Sequence, residues 1–178
     1  MDSRTESDST PTSSRTSVER KSEREIIVRR TFDGPARLVF EAWTKPELLK
    51  RWWVPKSIGM SFLACEADVR AGGKYRFEFL HPSAPTPVAF YGKYLEVVPH
   101  SRLVWTNEES SDGAVTTVTF EEKNGKTLLV VHEVYPSKEA LEANGGMENA
   151  MPETFSQLDE LLVDLVTKYS DRLKSLPM

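Results

Sequence analysis

The side chains best suited to proton transfer in this sequence are His132 and the carboxylates of Glu66 and Asp68. On the apolar face of a strand, His132 would be a polar group capable of acid–base chemistry near neutral pH. Glu66 and Asp68 are two residues apart on a predicted strand, so they share a face, and their proximity could raise one pKa. The alternatives, which we favour, are a hydrogen-bonded structural histidine and a pairing of Asp68 with Arg70 or with turn amides.

No other pattern in the sequence indicates catalysis, a metal or a cofactor. Glycine-rich phosphate loops, a nucleophile elbow and a Cys-x-x-Cys pair are absent from the sequence. His132 and Glu133 are neighbours on a strand and must point to opposite faces, so they cannot chelate one metal ion. Cys65 is expected to be a small buried residue without special reactivity. We therefore expect no cofactor and no metal site, and binding in preference to catalysis.

Aromatic side chains are more numerous than one helix on one sheet layer needs. Any one of these aromatic side chains is more often part of the packed core than of a binding site. As a set, however, they favour a flat or aromatic ligand. Stacking would hold that ligand, and hydroxyl groups such as those of Tyr75 and Tyr94 would orient it. The candidate ligand-binding residues are Trp53, Phe62, Tyr75, Phe77, Phe79, Tyr94, Trp105, His132, Met147, Met151 and Phe155.

The composition argues against several classes of protein. The chain has 178 residues, a formal net charge of −4 and a pI near 5.5, without a cluster of basic residues, which argues against nucleic-acid binding. Its single cysteine allows no internal disulfide, and no segment resembles a signal peptide or a membrane span. We expect a cytoplasmic protein, monomeric or homodimeric, that does not insert into membranes. Residues 1–24 are rich in Ser and Thr, which predicts a disordered tail before a domain at 25–174.

The order of apolar patterns predicts an α+β fold with a seven-stranded antiparallel sheet. A strand at 25–32 is followed by two short helices at 36–43 and 46–53. Alternating patterns and turn signals, of which Asn124-Gly125 is the strongest, then predict the remaining six strands. These six strands lie at 58–70, 74–80, 88–98, 102–107, 115–122 and 126–135. The inward face of the strand at 58–70 is unassigned, because Met60 and Phe62 share a parity with Glu66 and Asp68.

The C-terminal segment predicts a long amphipathic helix. Its apolar stripe consists of Met151, Phe155, Leu158, Leu162, Leu165 and Tyr169. The stripe spans fewer than three heptads, so packing on the molecule's own sheet is favoured over a coiled coil. A curved sheet under such a helix can hold a cavity, and a ligand would enter beside Gly145, Gly146 and Met147, where glycines form a flexible gate.

An ordered set of segments resembles a known family. The segments are Arg30-Thr31-Phe32, Val39-Phe40-Glu41-Ala42-Trp43-Thr44, Pro46-Glu47-Leu48, Trp52-Trp53, Asp68-Val69-Arg70-Ala71-Gly72-Gly73, Gly92-Lys93-Tyr94-Leu95-Glu96-Val97, Arg102-Leu103-Val104, Val118-Thr119-Phe120, Gly146-Met147-Glu148 and Leu158-Asp159-Glu160-Leu161. Together they resemble the activator-of-Hsp90-ATPase-homologue-like branch of the START-like superfamily, which includes polyketide cyclases and aromatases. The likeness spans residues 24–166. Members often carry Gly-Trp where this chain has Gly146-Met147.

The resemblance implies a helix-grip fold, in which the curved sheet wraps around the C-terminal helix and encloses an elongated, largely apolar pocket. It implies binding of a small hydrophobic molecule as the leading function. One alternative is a cyclase or dehydratase acting on a polyketide-type substrate, with His132 or Asp68 moving a proton. The other is an Hsp90 co-chaperone-like interaction module, which we favour least because members of that kind pair this domain with a separate N-terminal domain.

Overall fold

The computed structural model describes residues 15–176, which form one curved antiparallel sheet covered by helices. The strands are β1 (Ser17–Arg20), β2 (Glu25–Phe32), β3 (Ser61–Ala67), β4 (Lys74–Leu80), β5 (Val88–Val98), β6 (Arg102–Thr106), β7 (Val115–Lys123) and β8 (Lys126–Val134). The helices are α1 (Ala36–Thr44), α2 (Pro46–Trp52), α3 (Lys138–Asn144) and α4 (Met151–Lys174). Short 3-10 turns lie at Lys56–Ile58 and Met147–Asn149. The strand order across the sheet is β1-β2-β8-β7-β6-β5-β4-β3.

Two short helices follow β2 because prolines interrupt the chain at their starts. Pro35 is extended and precedes α1, and Pro46 is the first residue of α2, where its missing N–H is not needed. α1 buries Leu38, Val39 and Trp43 against the sheet and the neighbouring helices. Its carbonyl at Ala42 accepts a hydrogen bond of 2.9 Å from the indole Nε1 of Trp52, which joins the two helices.

A bulge in β3 explains the ambiguous parity of the predicted strand at 58–70. The register between β3 and β4 shifts between Phe62 and Ala64, so Leu63 is an extra residue on that strand. Phe62 therefore faces the core before the bulge, whereas Cys65 and Ala67 face it afterwards. Such a bulge adds local twist and bends the strand. The register of β5 against β6 shifts in the same way between Tyr94 and Glu96.

The long helix α4 packs against α1 and α2 and contacts the inner face of the sheet. Phe155, Leu158 and Leu162 of the predicted stripe are buried, and Leu161 is buried beside them. Tyr169 lies beyond this core, with the guanidinium of Arg37 placed 4.5 Å above its ring. The fully buried guanidinium of Arg30 on β2 pairs with Asp159 of α4 and donates to the hydroxyl of Thr16 at 3.0 Å.

The structure differs from the sequence prediction at two elements. The sheet has eight strands because β1, inside the range expected to be a disordered tail, pairs with β2 from Ser17 opposite Arg29 to Arg20 opposite Ile26. Residues 1–14 of that expected tail lie outside the described residues. α3 was also not predicted, since it has only seven residues, although Ser137 caps it by accepting a hydrogen bond of 3.0 Å from the amide of Ala140. Within residues 15–176, no helix has the length and apolar character needed to cross a membrane.

Candidate functional site

A cavity of about 210 Å³ lies at one end of the inner sheet face, between the sheet, α1, α2 and the segment that leads into α4. Its lining side chains are predominantly aromatic or aliphatic. They belong to Trp43, Trp53, Tyr75, Phe77, Phe90, Tyr94, Trp105, Asn107, Glu109, Ser110, Ala114, Thr116, Val131, Glu133, Tyr135, Asn144, Met147 and Met151, with Gly113 contributing backbone. Among α4 residues only Met151, the first of the helix, reaches the cavity, so the cavity lies at the N-terminal end of α4 and not along its length.

Seven of the eleven predicted ligand-binding residues line this cavity, namely Trp53, Tyr75, Phe77, Tyr94, Trp105, Met147 and Met151. The alternating pattern of β4 brings in Tyr75 and Phe77, whose neighbours Lys74 and Arg76 are exposed. The cross-strand pair of Tyr94 and Trp105 brings in β5 and β6. Trp53 follows α2, and its ring contacts Phe77 at a centroid distance of 5.4 Å.

Three predicted aromatic residues belong to the core instead. Phe155 lies on the first turns of α4 and packs edge-on against Phe32 at 5.5 Å, with Trp43 and Trp52 further out at 6.3 Å. Phe62 and Phe79 pack against each other at 4.7 Å, at the β3 end of the sheet. These residues were predicted from aromatic character, which does not distinguish a cavity wall from a packed core.

His132 lies on the outer face of the sheet, so its prediction as a pocket residue is wrong. Its Nε2 is hydrogen-bonded to Oε1 of Glu25 on the adjacent strand at 2.9 Å. The inward residues of β8 are Thr127, Leu129 and Val131, which are buried. Apolar residues occupy both parities of this strand, since Leu128 and Val130 alternate with the inward set, and the pattern therefore does not define the inner face.

Glu133 is the ionisable residue of β8 that does line the cavity, and it was missed by sequence reasoning. Its Oε2 is buried without a hydrogen-bond partner among the described residues. Burial, with a smaller contribution from the nearby carboxylate of Glu148, raises the pKa of Glu133 to about 7. Glu133 shares the parity of the inward Val131, but apolar residues at both parities of β8 left no sequence signal that separates it from His132.

The tyrosines of the cavity are neutral polar groups. The hydroxyl of Tyr75 donates to the carbonyl oxygen of Thr106 at 2.6 Å and accepts from Nδ2 of Asn107 at 3.3 Å. Burial raises the pKa values of Tyr75, Tyr94 and Tyr135 well above the usual range for tyrosine. These residues can therefore orient a ligand by hydrogen bonds but do not ionise near neutral pH.

The segment between α3 and α4 forms the mouth of the cavity. Gly146 has φ 113°, a conformation that favours glycine, and its amide donates to Oε2 of Glu148 at 2.7 Å. Met147 is 43% exposed while also lining the cavity, so its thioether lies at the boundary with solvent. The buried Glu148 thus holds the turn that presents Met147 to the cavity.

The remaining candidates for proton chemistry lie away from the cavity. Asp68 is exposed and accepts from Nε of Arg70 at 2.8 Å, which is the ion pair favoured above. Glu66 is also exposed, because the β3 bulge turns it outwards. Cys65 is partly buried, which raises the pKa of its thiol to about 11. Within residues 15–176, no group of three or more His, Cys, Asp or Glu residues is placed to hold a metal ion.

The family model described as "Activator of Hsp90 ATPase homolog 1-like protein" matches residues 33–163. The chain belongs to this family. The match includes α1, α2, the strands β3 to β8 and all the buried residues of α4, and it contains every residue that lines the cavity. A comparison with curated protein sequences gives no significant match.

Solved structures show the same fold. A crystal structure of a protein from Rhodobacter sphaeroides is 23% identical with a TM-score of 0.76, and the match covers 84% of this chain and 99% of that chain. An NMR structure of a protein from Staphylococcus epidermidis is 27% identical with a TM-score of 0.67, over 83% of this chain and 94% of that one. An AHSA1-like protein from Aeromonas hydrophila is 16% identical with a TM-score of 0.63, and the match covers 77% of this chain and 93% of that chain. The helix-grip, START-like α+β fold expected from the resemblance is confirmed.

Proposed function

We propose that this AHSA1-like protein binds a small hydrophobic or aromatic molecule in the cavity beside the N-terminus of α4, without covalent chemistry. The observation that carries the proposal is the cavity itself, about 210 Å³ in volume and walled by aromatic side chains from four elements. Apolar walls gain free energy when a ligand removes their surface from water. The fold family commonly binds hydrophobic ligands, which agrees with this use of the cavity.

The volume limits the size of the ligand. An apolar cavity of about 150 Å³ accommodates benzene. A cavity of about 210 Å³ therefore suits a molecule of about two fused rings, unless side chains at the mouth move. Met147 and Met151 at that mouth are flexible, so a somewhat longer molecule can extend past them.

Two polar atoms of the lining residues indicate that the ligand has polar groups as well. The indole Nε1 of Trp43 and Oε2 of Glu133 are buried without hydrogen-bond partners among residues 15–176. A buried polar atom without a partner costs free energy, and a ligand that supplies the missing partner recovers it. Both residues line the cavity, so a ligand placed there can supply those partners once the side chains turn their polar atoms towards it.

The observations on which the other two functions were based do not belong to the site. The cyclase or dehydratase assignment relied on His132 or Asp68, and neither residue lines the cavity. The co-chaperone assignment relied on resemblance to a family whose description includes Hsp90, and a family description does not supply a partner for this chain.

Filling the cavity tests the proposal. Ala114 is buried at the cavity wall, so Ala114→Phe places a ring inside, whereas Ala143→Phe adds the same ring on the exposed side of α3. Isothermal titration calorimetry with 2-naphthylmethanol, a neutral probe of suitable size, measures the effect. We expect the first variant to bind at least about tenfold more weakly and the second to bind within about twofold of the unmodified protein.

Wild-type protein that does not bind the probe, or equal affinity in a folded Ala114→Phe variant, would contradict this assignment. Circular dichroism and thermal unfolding establish that the variant is folded. Met151→Trp is a second variant that fills the cavity, at a lining residue that is less buried than Ala114. It replaces Ala114→Phe in the test if that variant does not fold.

A further inference from the structure

The carboxylate of Glu133 is positioned for a partner that the protein itself does not supply. Glu133 lies on β8 between Ile26 of β2 and Thr116 of β7, its cross-strand neighbours. Thr116 lines the cavity beside it, whereas Ile26 is fully buried core. Oε2 is buried and accepts no hydrogen bond within the described chain. Burial of an unpaired carboxylate is unfavourable, so its retention inside an apolar wall points to a ligand group that compensates it.

The charges around the cavity have one sign. Glu133 and Glu109 line it, and the buried Glu148 is close enough to Glu133 to affect its ionisation. Of the residues described by the structure, no lysine, arginine or histidine lines the cavity. The site therefore disfavours an anionic ligand such as a fatty acid, and it favours a ligand that brings a positive charge.

The aromatic walls favour the same charge. Trp43 and Trp105 lie 6.0 Å apart with their planes tilted by 34°, and Trp53 contacts Trp43 at 5.5 Å. Tyr75 on β4 and Tyr94 on the adjacent strand β5 lie 5.6 Å apart. Tryptophan and tyrosine ring faces attract organic cations, most strongly where water is excluded. A desolvated ammonium would thus find both a carboxylate and ring faces inside one cavity.

We infer that the cavity selects an aromatic molecule carrying a protonated amine, and that the Glu133 carboxylate pairs with this amine. The inference rests on the proposed binding function and specifies the chemical class of its ligand. The ammonium donates a charge-assisted hydrogen bond to the Glu133 carboxylate, while the aromatic part of the molecule occupies the space between the tryptophans and Tyr75. The Asn107 amide and the Tyr75 hydroxyl, already hydrogen-bonded to each other, fix the polar end of that wall.

Binding should depend on pH through Glu133. The titratable groups of the surrounding elements are Glu148 in the 3-10 turn, Glu109 after β6, Tyr135 after β8, Tyr75 on β4 and Tyr94 on β5. The pKa values of all three tyrosines are raised, so the tyrosines stay neutral near pH 7, whereas Glu133 with a pKa of about 7 changes its charge there. An amine that stays protonated should bind more tightly as the pH rises through this value, because the carboxylate becomes charged.

A matched pair of probes tests the inference. 2-Naphthylmethylamine and 2-naphthylmethanol have the same ring and nearly the same size, and only the amine is cationic. Calorimetric titrations compare them in the wild-type protein, in Glu133→Gln, and in Glu121→Gln, which removes a carboxylate from an exposed position of β7 outside the cavity. Titrations of the amine from about pH 5.5 to about pH 8, where it keeps its charge, give the pH dependence.

We expect the wild-type protein to bind the amine at least about tenfold more tightly than the alcohol, and to lose that preference in Glu133→Gln but not in Glu121→Gln. Affinity for the amine should rise about tenfold or more over the pH range. Equal affinities for the two probes, or amine binding that is flat or weakens with rising pH, would overturn the inference while leaving the proposed binding function in place. Failure of both probes to bind would overturn both. Retained binding of the alcohol by Glu133→Gln shows that this variant is folded.

Discussion

Glu133 gives the folded protein a pH dependence opposite to that of an ordinary surface carboxylate. Its pKa is about 7 in the folded state and 4.5 without the influence of the fold, because burial and Glu148 disfavour the charged form. The folded state therefore retains a proton that the unfolded chain has released. Stability from this group is fully present below pH 4.5 and falls as the pH rises to about 7, above which it stays constant.

Comparison with Glu133→Gln isolates this effect from all other titrating groups. The free energy of unfolding of the wild type, relative to that of the variant, should decrease by up to about 3 kcal/mol between these pH values, since one pKa unit corresponds to about 1.4 kcal/mol. Urea unfolding at a series of pH values measures the difference. Parallel pH curves for the two proteins would show that Glu133 is not a buried, unpaired carboxylate.

The sequence did not show, for every strand, which side chains lie on the inner face of the sheet and so reach the site. Tyr75 and Phe77 lie on the inner face of β4, and the charged residues that alternate with them mark the outer face in the sequence. On β8 both faces carry branched apolar residues, so His132 was assigned to the inside and Glu133 was overlooked. The exposed Leu128 and half-buried Val130 cover the outside of the sheet beside His132, and a strand of this kind has no polar face to mark its orientation.

At the scale of elements, α4 is joined to the sheet by a buried ion pair as well as by apolar contact. The guanidinium of Arg30 is fully buried on β2, and Asp159 on α4 is partly exposed. Burial lowers the pKa of Arg30, and the Asp159 carboxylate opposes that change. Removing one member of a buried pair leaves the other charge uncompensated, which costs more than the pair itself contributes.

Asp159→Asn should therefore lower the free energy of unfolding by about 2 to 3 kcal/mol. The control is Glu19→Gln, which breaks the exposed pair with Arg29 and should change stability by less than about 1 kcal/mol. Denaturant unfolding of the three proteins provides the comparison. Replacing both members by apolar residues, Arg30→Met with Asp159→Leu, should recover most of the loss. An Asp159→Asn variant as stable as the control would contradict the account of how α4 is held.

The ends of strands could be predicted from the sequence where turn residues mark them. A change of strand register, or a strand of only a few residues, could not be predicted. The predicted bounds of β2, β4 and β5 agree with the structure. The bulge at Leu63 was not predictable, because an extra residue changes parity without any particular residue type. The edge strand β1 has four residues and is exposed throughout, so its pairing with β2 leaves no apolar alternation in the sequence.

For the whole molecule, the sequence was sufficient for the α+β class and the family, and insufficient for the position of the cavity. The bulges of β3 and β5 add local bends to the sheet. The cavity forms where α4 begins and not under its length. The apolar stripe of α4 predicted contact with the sheet correctly. It could not show that Phe155 and Leu158 fill the space beneath the helix, because that depends on the distance between helix and sheet.

The proposed function places an aromatic ligand inside this cavity and not on the surface of the protein. A methyl NMR titration with 2-naphthylmethanol distinguishes the two locations, with nuclear Overhauser contacts measured between probe and protein. We predict contacts from the methyl groups of Ala114, Val131 and Met151, which line the cavity, and none from the exposed Val163 on the outer side of α4. Saturable shifts confined to Val163 and other exposed methyl groups, with no contact to the cavity methyl groups, would contradict the claim.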